Sequence, residues 1–518
     1  MAEITETGTG EAARQWRALA AMVALAAAYA AALGWRLRDC VMDDAYIGFV
    51  FLSNLLEGHG FVFHPGGPAV EGVTNIGWIL LLAPAAALLG PVAGAKLTGA
   101  LLMFCGLVLT GAIGRELSRR LGTLPHADTL MLAPPLLLAA SFEFLYFPLA
   151  GMETALLAGL LLAMVPIALR KPGSAALPIL GALAFTVHPE AVLVFPLFLA
   201  LRGMPALRKS RRALLLYAAL LALIAIARWA AFGGFLPNTF AAKPPAEIAT
   251  AIGGLVELAA GGYPGVGFPI AGPLGLGLLL LGWRRLRRAA PDPAAMLAAT
   301  AATGLLFALY ARPDWTLSAR YFTPYLPAAL LLFWIGALDL SERLWPGRIA
   351  PFAAFGGVLL AVLGLTLGEH LGAMERYPGY VMASRSLIGP AEAIRHLVPE
   401  GDVIATRRIG ALAYVTRRPV FDYVYGLTDP EVARLVAKRG KAFEQPSDPE
   451  LAAIWQARAP RWILEDEPIM ADIARKAGGS LAGFTLHGIT YRAVERFPIT
   501  PEIDWVLARR IEEGFAPH

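Results

Sequence analysis

Apolar segments of about 20 residues recur along roughly the first 370 residues of the chain, and each is near the length that a helix needs to cross a bilayer. Short polar stretches separate them. The pattern predicts about eleven transmembrane helices, at residues 18–37, 95–114, 129–147, 152–169, 175–187, 190–201, 213–233, 266–282, 294–311, 323–338 and 349–368. The apolar region of the first segment is too long for a cleavable signal peptide, and more spans follow it. We therefore expect a polytopic α-helical membrane protein.

Two further apolar segments are predicted to lie along the membrane instead of crossing it. Residues 76–90 are short and interrupted by Pro84, and counting them as a span would turn the Arg groups that follow the next spans to the outside. Residues 45–57 have mixed apolar and polar faces, which is typical of a helix at a membrane surface. Both segments then belong to a first outer loop, residues 38–94, that contains interfacial helices.

Basic residues orient the chain in the membrane. With the N-terminal tail, residues 1–17, in the cytoplasm, the Arg-rich groups within 115–120, 202–212 and 284–288 all fall on the inner side. This orientation is favoured because cytoplasmic loops carry an excess of Lys and Arg. The eleventh span then places the C-terminus on the extracytoplasmic side.

The character of the chain changes at about residue 370, where charged residues become frequent. Short alternating segments predict strands, and helical patterns lie between them; the strands are at 402–406, 419–424, 461–466 and 484–494 and the helices at 390–398 and 429–438. Residues 370–518 are therefore predicted to form a small extracytoplasmic α/β domain. Residues 18–369 form the transmembrane domain that carries the candidate chemistry.

Composition supports the membrane class and excludes others. The 518 residues are 57% hydrophobic and 16% charged, with a mean hydropathy of +0.58, whereas about a quarter of the residues of a soluble domain are charged. The net charge of +5 comes from basic residues beside the spans, so it orients the chain and does not indicate nucleic-acid binding. Cys40 and Cys105 fall at different membrane depths, which disfavours a disulfide between them.

Nearly every unusual polar residue of the membrane half falls, in this topology, at the outer face. They come from six separate segments: Asp43 and Asp44; His59, His64, Glu71 and Asn75; Glu153; His188 and Glu190; Asn238 and Lys243; and Asp314 and Arg320. Structural polar residues would divide between the two faces, so this convergence favours a site. Ionisable side chains at a membrane boundary are costly to bury and are functional by default.

Asp43 and Asp44 follow the first span directly. On an extended backbone successive side chains alternate, so the two carboxylates cannot both point into one pocket. One would act as a general base while the other orients a partner or caps a helix that starts at Ala45. Alternatively, both acids only cap that helix.

The other candidates also have structural alternatives. Glu153, at the start of a span, either meets the helix dipole or takes part in function. His188 is either a hydrogen-bonded structural histidine or part of a pocket, and Glu190 follows it at a helix start. Lys243 and Arg320 are outer cations in a chain that otherwise keeps cations inside, so they either neutralise a phosphate or contact lipid headgroups.

The sequence contains no recognisable metal or nucleotide motif. It has no HExxH, no cysteine cluster and no P-loop, and His59 and His64 have no third ligand nearby. We expect no metal and no cofactor. An outer-face site lacks ready access to cytosolic nucleotides, so a sugar transferred there requires a lipid-carried donor.

Several motifs in order resemble a known family. DDAYI at the start of the first outer loop, with the following EGHG and VEGVTN, resembles the first outer loop of the GT-C superfamily of membrane glycosyltransferases. More narrowly, it is similar to the branch that contains the mycobacterial terminal arabinofuranosyltransferases. The resemblance continues through GMETALLAG, HPEAVL, FLPNTFAAK, DWTLSARYFTPYLP and IGALAYVTRRPVFDYVYGLTDP. It departs at His188, where that family often has Arg, at Pro313, where it has Gly, and near Arg408, where it has an acid.

The resemblance implies a GT-C fold and an inverting transfer of a sugar on the extracytoplasmic side of a bacterial plasma membrane. The donor would be a polyprenyl-phosphate sugar such as decaprenyl-phosphoryl arabinofuranose, and the acceptor an envelope glycan, glycolipid or protein. Asp43 would be the base, with Asp44 as the second choice, and Glu153 would support it or orient the acceptor. Lys243 and Arg320 would hold the donor phosphate. The candidate substrate-binding residues are Tyr46, His59, Glu71, Asn75, His188, Glu190, Asn238 and Asp314.

A transporter or lipid flippase is the alternative, because many spans with ionisable residues also describe one. Transporters place their site near the midplane, often between repeated halves. Here the polar residues gather at one face, and no internal repeat is visible. The pattern therefore favours an enzyme.

Overall fold

The structure, a computed structural model, describes residues 3–121, 127–239, 248–260, 270–311, 320–344, 356, 386–439, 448–500 and 503–511. The chain divides into two compact units. The first unit contains residues 1–38, 95–224 and 245–376, and the second contains residues 39–94, 225–244 and 377–518. The domain boundary at residue 370 stays a prediction.

The described part of the first unit is helical. Its helices, two of which continue into the second unit, are Glu3–Arg36, Pro91–Leu121, Ala127–Ala140, Phe142–Leu149, Thr154–Arg170, Ala176–Val187, Val194–Leu201, Met204–Lys209, Arg211–Phe232, Ile248–Ala260, Gly272–Ala289, Pro291–Ala311 and Leu326–Leu344. Short 3₁₀ turns at Pro189–Leu193 and Thr323–Tyr325 precede two of them.

Several of these helices are able to cross a membrane. Among the described residues, Pro91–Leu121, Arg211–Phe232, Pro291–Ala311 and Thr323–Leu344 are long and apolar enough, and the pair Leu130–Ala140 and Phe142–Leu149 forms a fifth candidate bent by 61°. Shorter apolar helices occupy most of the other predicted spans. The polytopic helical class is thus confirmed, whereas the count of eleven spans stays a prediction. Apart from residue 356, the predicted span at 349–368 lies outside the described residues.

Glycine lets two helices of the first unit approach closely. A Cβ atom added at Gly336 would lie 1.9 Å from the carbonyl oxygen of Leu278, and one added at Gly282 would lie 1.8 Å from that of Leu332. The backbones of Gly272–Ala289 and Leu326–Leu344 therefore touch at this crossing. Small residues at a membrane helix interface permit such an approach.

We expect Gly336→Ala to destabilise the protein by about 1–3 kcal/mol, the usual cost of overpacking, because the new methyl group would displace one helix backbone. Thermal unfolding of the purified protein in detergent measures this effect. Gly277→Ala on the same helix pair is the control, since a Cβ at that position has open space within 4 Å. Equal melting of both variants would contradict the close crossing.

The second unit combines the first outer loop with a sheet domain. Its described helices are Asp43–Leu56, Ile76–Leu89, Ile388–Leu397, Gly410–Thr416, Pro430–Arg439, Pro449–Arg458 and Glu467–Lys476. The strands are β1 Ile404–Ala405, β2 Val420–Phe421, β3 Trp462–Asp466, β4 Phe484–Leu486, β5 Ile489–Thr500 and β6 Ile503–Arg510. The helix Ile76–Leu89 contains Pro84 and is too short to pass as a span by itself.

The six strands form one sheet in the order β2-β1-β3-β6-β5-β4. Strands β2, β1 and β3 are parallel, with Ile404 paired with both Val420 and Trp462, while β6, β5 and β4 add on antiparallel. Trp455 and Tyr491 are fully buried in the core of this domain. The α/β fold predicted for the tail is confirmed.

The predicted strand at 484–494 is in fact two strands. Positive φ angles at His487 (50°) and Gly488 (81°) make a tight turn between β4 and β5. Two residues with positive φ are the backbone of a type I′ hairpin turn, which matches the twist of its strands. The sequence pattern did not predict β6, although it completes the centre of the sheet.

Candidate active site

The paired acids begin a helix. Asp43 and Asp44 are the first two residues of Asp43–Leu56, termed here the acidic helix. The helix starts two residues earlier than predicted, and the residue before it, Met42, makes no side-chain cap hydrogen bond. Successive residues on an α-helix are about 100° apart around the axis, so the two carboxylates point in different directions.

Asp43 contacts a second helix, Gly410–Thr416, termed here the docking helix. Its Oδ1 atom accepts a hydrogen bond from the backbone N–H of Ala411 at an N···O distance of 2.7 Å. A Cβ atom on Gly410 would lie 2.0 Å from the carbonyl oxygen of Asp43, so only glycine fits at this contact. A capping role for Asp43 therefore exists, but the capped helix belongs to the sheet domain.

Aromatic packing extends the contact between the two helices. The ring of Tyr46, which is 4% exposed, lies 5.1 Å from the ring of Tyr414 on the docking helix. Phe49 meets the same tyrosine edge-on. At the other end of the pair, Arg417 forms an exposed ion pair with Glu57 at 3.1 Å. Tyr46, predicted to bind substrate, thus lies in the packing between the helices.

Arg408 precedes the docking helix, and its positive charge acts on the Asp43 carboxylate. Its guanidinium binds the carboxylate of Asp466 through two nitrogen atoms, with Nε donating to Oδ1 at 3.2 Å. Burial raises the pKa of Asp43, and the Ala411 N–H and the Arg408 charge offset part of that rise. Asp43 therefore has a raised pKa and a fixed orientation.

A buried carboxylate lies next to this pair. Glu465, adjacent to Asp466 at the end of β3, has no exposed side-chain surface. It accepts hydrogen bonds from the hydroxyl of Tyr423 at 2.7 Å and from the backbone N–H of Arg407 at 3.1 Å, and its Oε2 lies 3.0 Å from Arg407 Nε. Burial raises the pKa of Glu465 to about 7, with Arg407 opposing the rise. Two acids at the carboxyl end of β3 therefore anchor two arginines beside the docking helix.

A second group in this unit joins the first outer loop to the helix Arg211–Phe232. Arg228 Nε donates to Glu71 Oε1 at 3.1 Å, and both side chains are at most 3% exposed. The backbone N–H of Asn238 donates to the Glu71 carbonyl oxygen at 3.1 Å, and its side-chain amide donates to the Gly426 carbonyl oxygen at 3.3 Å. Burial raises the pKa of Glu71 to about 7. Glu71 and Asn238 were predicted to bind substrate, and the structure gives both of them contacts within the protein.

We expect Arg228→Ala to destabilise the protein by about 3–5 kcal/mol, because it leaves the Glu71 carboxylate buried without its counter-charge. Thermal unfolding in detergent is the measurement. Arg417→Ala is the matched control, since it breaks an exposed ion pair with Glu57 that should contribute at most about 1 kcal/mol. Equal losses in the two variants would show that burial does not strengthen the Glu71 pair.

The first unit contains a separate cluster around His188, which lies between the helix Ala176–Val187 and the 3₁₀ turn that starts at Pro189. Its Nε2 lies 3.1 Å from Glu153 Oε1, and its Nδ1 lies 2.9 Å from Glu190 Oε2. The hydroxyl of Tyr325 donates to Glu190 Oε1 at 3.0 Å. Glu153 precedes the helix Thr154–Arg170 and makes no side-chain cap bond to it, so its carboxylate serves the cluster instead.

His188 is a fixed cation. Burial lowers the pKa of its imidazole, but the carboxylates of Glu190 and Glu153 more than reverse this effect and raise the pKa to about 10. With both nitrogens protonated, each N–H donates to one carboxylate. At neutral pH the histidine therefore carries a positive charge between the two carboxylates.

Arg320 extends this cluster. Its side chain is partly buried, its charge acts on the Glu153 carboxylate, and its guanidinium carbon lies 5.8 Å from the centre of the Tyr321 ring. The predicted phosphate ligand thus lies in the same group as Glu153, His188 and Glu190. Arginine presents several donors in a planar fork that suits phosphate.

The other predicted residues lie elsewhere. His59 is exposed and lies 3.8 Å from the exposed Glu57. Asn75 immediately precedes the helix Ile76–Leu89. Lys243 and Asp314 lie outside the described residues. The structure therefore brings the candidates together in two groups, one in each unit.

Sequence reasoning missed several contributors to these groups, among them Arg228, Arg408, Asp466 and Tyr325. Arg228 had a visible signal, since it is a lone charge within an apolar span, and such charges need a partner. Tyr325 also had one, because it lies in DWTLSARYFTPYLP, one of the motifs that carry the resemblance. Arg408 and Asp466 had none, since they meet each other only through the fold.

The chain has the GT-C fold, with a helical membrane part and a C-terminal sheet domain. It is similar over 96% of its length to the apo crystal structure of ArnT from Cupriavidus metallidurans, with 14% identity, a TM-score of 0.54 and coverage of 98% of that protein. The structure of ArnT from the same organism bound to undecaprenyl phosphate matches with 13% identity and a TM-score of 0.53, over 96% of this chain and 99% of that one.

A second solved protein matches to a similar degree. The oligosaccharyltransferase AglB from Archaeoglobus fulgidus, in complex with an inhibitory peptide and a dolichol-phosphate, has 11% identity and a TM-score of 0.53, over 89% of this chain and 71% of that one. The family described as Domain of unknown function (DUF8728) matches residues 381–511. No curated protein sequence shows significant similarity to the chain.

Proposed function

We propose that the protein is a glycosyltransferase that moves a sugar from a polyprenyl-phosphate donor to an acceptor hydroxyl with inversion at the anomeric carbon. The observation that carries the proposal is the acid pair at the start of the first outer loop in a chain with the GT-C fold. Two kinds of fold neighbour support the lipid donor, since the ArnT structure contains undecaprenyl phosphate and the AglB structure contains a dolichol-phosphate.

Asp43 is the proposed general base. Its Oδ1 atom accepts from the Ala411 N–H, which fixes the plane of the carboxylate and assigns the proton to Oδ2. The acceptor oxygen attacks the anomeric carbon as its proton moves to Oδ2. The bond between the anomeric carbon and the phosphate oxygen breaks, and its electron pair leaves with the phosphate. General-base catalysis of this kind contributes roughly 10²- to 10⁴-fold.

Arg320 is the proposed phosphate ligand, with Lys243 as its partner from the sequence. The lipid phosphate leaves with its negative charge, so it needs cationic stabilisation more than it needs a proton. Arg320 is suited to this role because its positive charge acts on the Glu153 carboxylate, which places a cation in the same group as the acids. A bidentate contact would then form on the leaving phosphate.

Glu153 and Glu190 are proposed to face the sugar. His188 contacts both carboxylates and the Tyr325 hydroxyl donates to Glu190, so the orientation of each acid is fixed. Ionised carboxylates accept hydrogen bonds from hydroxyl groups. This arrangement suits a polyhydroxylated ligand, with Glu153 orienting it.

Arabinofuranose is the proposed sugar, because the ordered motifs resemble the arabinofuranosyltransferase branch. The acceptor would be an envelope glycan, a glycolipid or a protein, on the extracytoplasmic face of a bacterial plasma membrane. The Arg-rich inner segments support this orientation.

The experiment is a transfer assay with the purified protein in detergent. Synthetic prenyl-phosphoryl arabinofuranose and an arabinoside acceptor are supplied, and the anomeric configuration of the product is read by NMR. A panel of prenyl-phosphoryl hexoses and aminosugars is run in parallel. Transfer with inversion from arabinofuranose supports the whole proposal, and transfer from another donor in the panel corrects the sugar alone. Binding of prenyl phosphate without transfer from any donor would overturn the enzyme class.

A further inference from the structure

The docking helix contacts Asp43 and the charge of Arg408 acts on the same carboxylate, although Ala411 lies 368 positions after Asp43 in the sequence. All three belong to the second unit. Three contacts join the docking helix to the acidic helix: one hydrogen bond to Asp43, one glycine that touches the Asp43 backbone, and one tyrosine that packs against Tyr46. The sheet domain therefore contacts the acidic helix at the residue proposed to do the chemistry.

Three features of the contact between the docking helix and the acidic helix fix the orientation of the Asp43 carboxylate. The Ala411 N–H bonds one chosen oxygen of the carboxylate. The close approach of Gly410 leaves no room for the acidic helix to slide past the docking helix. Arg408 is itself held by Asp466, so its charge has a fixed position relative to Asp43.

We propose that Arg408 is a positioning residue, which together with the docking helix sets the orientation and charge of the Asp43 carboxylate, so that the C-terminal sheet domain is an obligatory part of the catalytic apparatus. This inference rests on the proposed role of Asp43 as the base. It assigns a task to residues 381–511, the segment that matches the domain of unknown function. The sheet domain thereby affects the sugar-transfer step by orienting the Asp43 carboxylate.

The electrostatics give the proposal a distinctive signature. The groups that face Asp43 are Asp44 and Tyr46 on its own helix and Arg408 before the docking helix, with Glu465 and Asp466 behind the arginine. Burial raises the pKa of Asp43, and Arg408 lowers it. A base must be ionised to act, so turnover falls as the pH drops through the pKa of Asp43. Loss of the Arg408 charge raises that pKa further and moves the acid limb of the pH profile to higher pH.

The test compares Arg408→Gln and Arg408→Lys with the wild type in the transfer assay over a range of pH. Arg408→Gln is expected to lower kcat by roughly 10- to 100-fold, the cost of a misplaced catalytic group, with little change in donor KM. Its acid limb is expected to move to higher pH. Arg408→Lys keeps a cation. It is expected to return the acid limb of the pH–rate profile to its wild-type position and to restore part of kcat. Arg417→Gln, which alters an exposed ion pair at the residue after the docking helix, is the control and is expected to behave like the wild type.

Two further measurements guard against misfolding as the explanation. Gly410→Ala changes no charge but forces the docking helix away from Asp43, so it is expected to lower kcat without the shift in pH that Arg408→Gln produces. Hydrogen exchange of the Ala411 amide is expected to accelerate in Asp43→Ala, which reports the contact without any turnover.

Each outcome decides the inference. A shifted acid limb that Arg408→Lys restores supports it. An unchanged profile in Arg408→Gln, or a uniform loss at every pH that Arg408→Lys does not restore, overturns it while leaving the proposed function intact. A wild type that transfers no sugar overturns the proposed function and the inference with it, even where the exchange of Ala411 shows that the contact is present.

Discussion

Asp43→Asn is expected to lower kcat for sugar transfer by about 10²- to 10⁴-fold, the contribution of a general base, while donor binding stays unchanged. The substitution is nearly isosteric, and the amide oxygen of the new side chain still accepts from the Ala411 N–H. The docking helix therefore stays in place, and the loss of activity reports the loss of a proton acceptor. Initial rates and donor affinity, both measured in detergent, separate the two effects.

Asp44→Asn is the matched control for this prediction. The two acids are adjacent on one helix, and the Asp43 carboxylate accepts a hydrogen bond from the sheet domain. We expect the Asp44 variant to keep more activity than the Asp43 variant. A full loss in Asp44→Asn with activity retained in Asp43→Asn would move the base to Asp44 and leave Asp43 a structural cap of the docking helix.

His188→Gln is expected to destabilise the protein by about 3–5 kcal/mol at neutral pH, because it removes the cation between two buried carboxylates. The side chains of Glu153 and Glu190 are only 6% and 7% exposed, so water compensates little for the lost charge. His188→Arg keeps a cation between the same two carboxylates. We expect the arginine variant to be the more stable of the two.

The same cluster predicts a pH dependence of stability. The pKa of His188 is about 10 in the folded protein, above its ordinary value of 6.5. The stabilisation is therefore fully present below pH 6.5, and it is lost as the pH rises through 10. Thermal unfolding in detergent between pH 6 and pH 11 measures this. A wild type that loses no more stability than His188→Arg across that range would argue against a protonated His188.

The sequence predicted helices and strands well because their patterns are local. Apolar length revealed the spans, and alternation revealed β1, β2 and β3. It failed at β6, where the predicted tail pattern ended before residue 503, and at the turn between β4 and β5, where positive φ at His487 interrupts an otherwise continuous alternating run. Both failures concern pairing and backbone geometry, which local alternation does not encode.

The candidate site divides in a similar way. Residue type and predicted side of the membrane singled out Glu153, His188, Glu190 and Arg320, and the structure brings these four together. The same reasoning assigned Glu71 and Tyr46 to substrate, and that assignment stays a prediction; the structure adds that Glu71 pairs with Arg228 and that Tyr46 packs against Tyr414. A partner that is distant in sequence decides whether a polar residue is available to a ligand, and no single segment reveals that partner.

The bond between Asp43 and Ala411 has a consequence for how the protein is made. It joins residues 368 positions apart, so the acid emerges from the ribosome long before the amide that fixes it. At about 5–20 residues per second, roughly 20 to 70 seconds pass between the synthesis of the two residues. During that interval the acidic helix exists without its final partner. A chain truncated between Leu344 and Gly410 would therefore have both acids and the helices up to Leu344 but would lack the amide that fixes Asp43.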